Sequence, residues 1–239
     1  MNRIAENFAH VKQRIAEAAQ KSGRSPESIQ LVVVTKGISV ADIETVLNAG
    51  ATIIAENRIQ EAQQKFEPVN FLSLNLLNTP ESDRAFAWHL IGHLQRNKVK
   101  PALSMFSLIH SVDSLRLVEE ISKRSIEQEN VTDILLQVNT TGEESKYGLN
   151  SKEVPNIIEK SINYANVRVC GLMTMGKFTT DPEENRPAFE SLRTLADNLK
   201  IEDSPNVDMR YLSMGMTGDF EVAIEEGANL VRIGRAIFA

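Results

Sequence analysis

Short apolar runs recur along the chain, each about the length of a buried strand. They are "LVVVTK" (31–36), "ATIIAEN" (51–57), "WHLIGH" (88–93), "SLIHSVD" (107–113), "DILLQVN" (133–139), "VRVCGLM" (167–173), "MRYLSMG" (209–215) and "NLVRIG" (229–234). Most intervening segments have helical spacing, as in "VADIETVLNAG", "SLRLVEEISKRSIEQE", "SKEVPNIIEKSINYA", "PAFESLRTLADNLK" and "DFEVAIEEGA". "LQRNKVKPAL" has room only for a brief helix. Continuous rather than alternating apolar runs mark strands covered on both faces, which parallel pairing through helical crossovers produces. Eight such units predict a (β/α)₈ TIM barrel, with an open doubly wound sheet as the alternative.

Ahead of the first strand, Ile4, Phe8, Val11 and Ile15 define an amphipathic helix that stops at Gly23. The chain has only five residues after the eighth strand, so this extra N-terminal helix is expected to cover the flank that a full final helix would fill. Residues 66–87, with Pro68 and Pro80, read as a helix end followed by a surface excursion. No repeat or linker interrupts the pattern, and 1–239 reads as a single domain.

In a barrel of this type the reactive groups belong at the C-terminal strand ends. Those ends supply Lys36, Asn57, His89 to His93, Ser111 with Asp113, Asn139, Met173, Ser213 and Arg232. The run Leu31 to Val34 leads straight into Lys36 and Gly37, which places an ammonium at the mouth of a core. Any one of these residues could be incidental; facing one cavity, they form a constellation. After strand seven, "SMGMTGD" places Ser213 and glycines before a helix expected to begin near 217–219, with Thr217 as its N-cap. After strand eight, Gly234 and Arg235 form a second glycine-containing end. Phosphate seats built from these two loops recur in the fold. Arg232, inside the last strand, needs an acceptor because it cannot discard its proton. A carboxylate such as Glu56 would satisfy it, and so would a ring nitrogen of a bound heteroaromatic. Lysine, phosphate seat and fixed cation together suggest a phosphorylated aldehyde cofactor with a pyridine ring.

The blocks "VVVTKG", "AENRIQEA", "WHLIGHLQRNK", "IHSVDS", "VNTTGEESKYG", "GLMTMG" and "LSMGMTGDFEVAIEEGANLVRIGRAIF", in order over the whole chain, resemble the pyridoxal phosphate homeostasis protein family. The resemblance implies the alanine racemase N-terminal-domain barrel, fold type III among proteins that bind pyridoxal 5'-phosphate (PLP). By position it implies that Lys36 forms an internal aldimine with PLP and that Arg232 faces the pyridine nitrogen. Ser213, with backbone amides around Thr217, Gly234 and Arg235, would hold the phosphate. Asn57 would line the ring's edge and Met173 its face, with His89 and Asn139 as further pocket-lining residues. Arg235 stands where many relatives carry a hydroxyl residue.

The resemblance further implies PLP buffering or delivery to PLP-dependent client enzymes, without robust turnover. A small fold type III racemase or decarboxylase is the competing expectation, and a cofactor-free Schiff-base aldolase a third. An arginine opposite the ring nitrogen weakens the electron sink. A racemase also needs a second acid/base on the far side of the substrate carbon. Alanine racemase takes its tyrosine from a partner subunit and dimerises through an additional domain; here the expectation is a monomer, with Tyr147, Tyr164 and Tyr211 poorly placed as substitutes.

Net charge is −6, with no nucleic-acid-binding motif, and no segment nears the roughly 20 apolar residues of a membrane span. Cys170, the single cysteine, lies in an apolar run and fits a reducing cytoplasm. No histidine or cysteine cluster has metal-ligand spacing.

Overall fold

Eight parallel strands close on themselves in chain order in the computed structural model, which describes residues 2–76, 86–143, 146–199 and 204–239. The strands are β1 (Gln30–Val34), β2 (Ile53–Glu56), β3 (Ala87–Leu90), β4 (Leu108–Val112), β5 (Thr132–Gln137), β6 (Val167–Met173), β7 (Val207–Met216) and β8 (Leu230–Ile233). Each coincides with one of the apolar runs. The closing pair, β1 with β8, is in register from Gln30 opposite Leu230 to Val33 opposite Ile233. The helices are α1 (Arg3–Lys21), α2 (Val40–Asn48), α3 (Ile59–Leu76), α4 (Val99–Leu103), α5 (Leu115–Glu127), α6 (Val154–Ser161), α7 (Arg186–Asn198), α8 (Phe220–Glu225) and α9 (Arg235–Phe238).

Strand alternation sorts the apolar residues into two cores. Val32, Ala55, Leu108, Leu135, Cys170, Met173 and Leu230 pack inside the barrel. Their neighbours one position away, including Val33, Ile54, Ile109 and Val231, pack outward against the helices. Cys170 is free and buried, and burial pushes its thiol up to about 11, which makes it an inert hydrophobe.

The N-terminal helix has the expected role. Asn2 caps α1 through the Ile4 amide, and Ile4, Phe8, Val11 and Ile15 are buried along one face. That face packs on α8 and the four-residue α9, where Asn7 Nδ2 donates to the Ile237 carbonyl at 3.1 Å. Gly23 follows with φ of 71°, the left-handed stop that glycine permits.

Residues 66–76 are the helix end expected there, since α3 runs through Pro68 to its end at Leu76. Proline removes one ladder hydrogen bond, yet Ile59, Ala62, Lys65 and Val69 form a continuous buried stripe that holds the helix to the barrel. The surface excursion expected after it falls on 77–85, outside the described residues.

Because α1 stands in for a full final helix, its core contact supports the β7–β8 side of the barrel. Phe8→Ala is expected to cost about 3–5 kcal/mol, read as a lowered urea midpoint. A loss under 1 kcal/mol would show that α1 is dispensable there.

Candidate functional site

At the end of β1 the chain makes a turn, Thr35 to Ile38, closed by the Ile38 amide on the Thr35 carbonyl at 3.0 Å. Gly37 takes φ of 72°, which a turn of this kind requires at its third residue and a side chain would oppose. Lys36 projects from the turn's second position. Its Nζ makes no hydrogen bond or ion pair among the described residues. It borders a pocket of about 250 Å³ with Val34, Ile38, Gly234, Arg235 and Phe238. A Cβ at Gly234 would lie 2.9 Å from the Val34 carbonyl oxygen, so glycine is what lets the end of β8 lie against β1. The fold thus brings Lys36, Gly234 and Arg235 together.

Arg232 lies just below, buried within the barrel. Its Nη1 donates to Ser213 Oγ at 2.6 Å and its Nη2 to the Thr174 carbonyl at 2.8 Å. Among the described residues no carboxylate comes within ion-pair distance. Burial lowers the guanidinium to about 10, which leaves it charged at neutral pH. Glu56 is not its partner. One position out of phase with the inward Ala55, Glu56 points to α3, where it accepts from Lys65 Nζ at 2.8 Å and Thr35 Oγ1 at 2.7 Å.

Ser213 continues the chain of contacts inward. His110 Nδ1 lies 2.9 Å from Ser213 Oγ, and His110 Nε2 lies 3.0 Å from His89 Nδ1. Arginine can only donate, so Ser213 Oγ accepts from Arg232. We assign the Ser213 hydroxyl proton to His110 Nδ1 and the His110 Nε2–H to His89 Nδ1, with both imidazoles as neutral Nε2–H tautomers. Burial pushes His89 down to about 4, and it holds His110 well below the ordinary imidazole range, with further depression from His89 and Arg232. Sequence reasoning missed His110. Its signal was available: it shares the inward phase of Leu108 on a strand buried at every position.

The remaining expected residues are placed variously. Met173 is fully buried in the inner core. Asn57 is half-buried at the end of β2, and its Oδ1 is buried without a partner among the described residues. Asn139 uses its amide locally: Nδ2 donates to the Glu143 carbonyl at 2.8 Å, while Oδ1 accepts from the Gly142 amide at 3.1 Å. At the opposite rim, Asp113 sits 3.3 Å from His93 Nδ1, and Tyr147 stacks on the His93 ring.

Thr217 is not the N-cap expected of it, because α8 begins at Phe220. Asp219 closes the turn instead. Its Oδ1 accepts from the Met216 amide at 2.6 Å and its Oδ2 from Asn185 Nδ2 at 2.8 Å. Among the described residues the amides of Thr217, Gly218, Gly234 and Arg235 have no acceptor. A six-residue helix is marginal alone, and α8 is tethered from outside. Arg14 pairs with Glu221 at 2.9 Å, Arg186 reaches both Glu225 and Glu226, and Arg24 donates to the carbonyls of Ile224 and Ala228.

The buried imidazoles make stability pH-dependent. An unfolded His89 takes a proton near pH 6.5, whereas the folded one resists down to about 4. Between those values the unfolded state binds more protons, so stability is full above the upper limit and falls as pH drops through the window. The loss from His89 alone should be roughly 3 kcal/mol, measured by urea unfolding at pH 7, 5.5 and 4.5. A flat profile would remove the neutral-tautomer assignment, as would nitrogen-15 spectra showing Nδ1–H on His110.

Comparison with known proteins now bears on this geometry. A family model described as "Alanine racemase, N-terminal domain" matches residues 2–239. A pyridoxal phosphate homeostasis protein of Aquifex aeolicus is 40% identical over 233 residues, covering 98% of this chain and 96% of the relative. That of Escherichia coli K12 is 33% identical, covering 100% and 97%. A crystal structure of an unknown protein from Bifidobacterium adolescentis superimposes with a TM-score of 0.91 at 35% identity, covering 99% and 94%. PipY of Synechococcus elongatus, solved with PLP bound, gives 0.79 at 30% identity, covering 99% of this chain and 100% of its own. Full-length similarity at this level, on the same closed barrel, is decisive: the chain belongs to the pyridoxal phosphate homeostasis protein family, built on the alanine racemase N-terminal-domain barrel.

Proposed function

We propose that this protein binds pyridoxal 5'-phosphate with Lys36 as its covalent anchor and acts in PLP homeostasis, holding the cofactor for client enzymes rather than turning over a substrate. One observation carries the reading. A lysine amine without a partner among the described residues shares a pocket with the Gly234–Arg235 strand end, and two residues back along β8 lies a buried arginine with no ion-pair partner among those residues. These residues fit the group. An aldehyde needs a reachable primary amine, a phosphate needs amide donors and a cation, and a pyridine nitrogen can accept from a guanidinium. PipY supports the reading as a relative solved with PLP bound, and so do the curated relatives named for PLP homeostasis.

Bound there, the cofactor would supply an electrophilic aldehyde and a pyridine ring able to accept electron density. The chain's own residues set the limits on that chemistry. Lys36 gives the amine, and Arg235 with the amides of Thr217, Gly218 and Gly234 gives the anion seat. Ser213, engaged with Arg232 and His110, fixes the guanidinium in place. A charged Arg232 facing the ring nitrogen would disfavour a proton there and so weaken the electron sink.

The three tyrosines do not supply a second acid/base either. Tyr147 stacks on His93, Tyr211 packs against the inner core, and the Tyr164 hydroxyl reaches Glu119 on the outer face at 3.4 Å. The racemase or decarboxylase reading would draw on His93, the exposed imidazole that Asp113 orients. The homeostasis reading places the protein in the cytoplasm as a monomer, in keeping with its buried free cysteine.

Incubation with PLP should give a visible absorption band. Borohydride followed by peptide mass spectrometry should place the added mass on Lys36, and Lys36→Ala should lose both. Label on another lysine would sink the anchor assignment. Incubation of the loaded protein with L-amino acids, followed by chiral analysis, should yield no D-isomer above a protein-free control. Product scaling with protein concentration would establish the enzyme reading instead.

A further inference from the structure

Lys36 stands on a turn whose two ends are gripped from outside the barrel by residues that no part of the pocket includes. On the N-terminal side, Lys65 Nζ donates to the Thr35 carbonyl at 2.7 Å. On the C-terminal side, the Gly37 amide donates to Glu61 Oε1. The two grips are joined, since Lys65 also donates to Glu61 Oε1 at 2.6 Å and to Glu56 Oε1 at 2.8 Å. All three ammonium protons of Lys65 therefore have acceptors, two of them carboxylates. Thr35 Oγ1 closes the figure by donating to Glu56 Oε1 at 2.7 Å.

Such an assembly has a cost. Lys65 is buried, Glu56 is wholly so, and Glu56 Oε2 has no partner among the described residues. Burial raises the Glu56 carboxyl above its ordinary range against the pull of Lys65 and Thr35. Burial also acts to raise Glu61, but its bonds to Lys65 and Gly37 prevail and hold it low. A buried ion pair seldom adds net stability over apolar packing, and its best-attested use is to set geometry. Here the geometry set is that of one turn. Its contacts fall on the two residues flanking Lys36 and leave the Lys36 amine free.

We propose that Lys65 and Glu61 are positioning residues for Lys36, with Glu56 fixing Lys65. By holding residues 35 and 37 they aim the amine into the pocket beside Gly234 and Arg235. The proposal rests on the PLP reading above. Neither residue touches the pocket, so each acts only through the turn.

The primary variant is Glu61→Ala, since Glu61 is partly exposed and its loss leaves the buried pair of Glu56 and Lys65 intact. Amide exchange at Gly37 should quicken about tenfold, the scale of one lost charge-assisted hydrogen bond. The rate at which borohydride traps PLP on Lys36 should fall about fivefold. Reductive methylation of Lys36 by formaldehyde, which demands no particular aim, should change less than twofold. The ratio of the two labelling rates therefore reports orientation and not accessibility. Glu61→Gln, which keeps an acceptor oxygen, should restore most of both values, and Glu67→Ala on the exposed side of α3 should match wild type. Lys65→Met should act in the same direction; if it does not fold, Glu61→Ala decides alone. Unchanged Gly37 exchange in Glu61→Ala would overturn the proposal, as would quickened exchange with an unchanged labelling ratio. A wild-type protein that takes up no PLP at Lys36 would sink the functional reading instead, and Gly37 exchange would then judge the grip by itself.

Discussion

The pairing of β8 with β1 is the constraint from which the site follows. It joins Val33 to Ile233 across 200 positions of chain and sets the Lys36 turn beside Gly234 and Arg235. An open sheet of the same eight strands would leave those ends at opposite edges. Closure depends on backbone approach: Gly234 lies so near Val34 that a side chain would push the strands apart. It also depends on support from outside, because a four-residue terminal helix cannot cover this flank. The N-terminal helix does so; its Arg14, with Arg24 just beyond its end, also steadies α8, which starts just beyond the Thr217–Gly218 turn.

Closure also forces polar chemistry into a space that would otherwise be wholly apolar. Arg232 faces inward because it shares the phase of Leu230. With no carboxylate in ion-pair contact among the described residues, its direct partners are dipoles, a serine hydroxyl and a backbone carbonyl, and Asp219 acts on it only at longer range. That solution leaves the guanidinium undischarged, since an ion pair would have neutralised the field that the chain now keeps. The serine in turn is steadied by His110, and His110 by His89, both neutral. A buried polar chain of this kind favours one arrangement because each member's partners are fixed by their neighbours in turn. What reaches the pocket is a fixed positive potential, suited to a ligand with an acceptor nitrogen and a phosphate.

The fold was legible because continuous apolar runs of strand length, spaced by helical segments, leave few architectures open, and every run became a strand. The rim positions Lys36, Gly234, Arg232 and Ser213 were legible for the same reason, as polar interruptions at strand ends. What escaped was contact between elements far apart in sequence. Nothing in "SLIHSVD" says that His110 meets Ser213 103 positions later. Nothing local makes Lys65 more than one of several cations on α3, until the barrel turns it towards Thr35. Glu56 offered itself as a partner for Arg232 on charge alone, and a phase error of one residue sent it to the other core. Thr217 looked like a cap because it precedes a helix pattern, but the nearby Asp219 carboxylate captured the Met216 amide and moved the helix start.

The two lysines near β1 are placed in opposite ways. Lys65 has every proton bonded, lies buried, and fixes backbone. Lys36 has no bond among the described residues, stands exposed at the rim, and is flanked by backbone that Lys65 and Glu61 hold. An amine that captures an aldehyde reversibly benefits from both conditions, because its nitrogen must be free to leave water while its approach stays directed. Turnover would demand a third feature, a general acid or base poised above the same pocket. The interior imidazoles are locked as neutral links in the Arg232 chain, and the tyrosines are engaged elsewhere. On the reading proposed above, such an arrangement would favour capture and retention, with the polar contacts serving to aim one nitrogen and fix one charge.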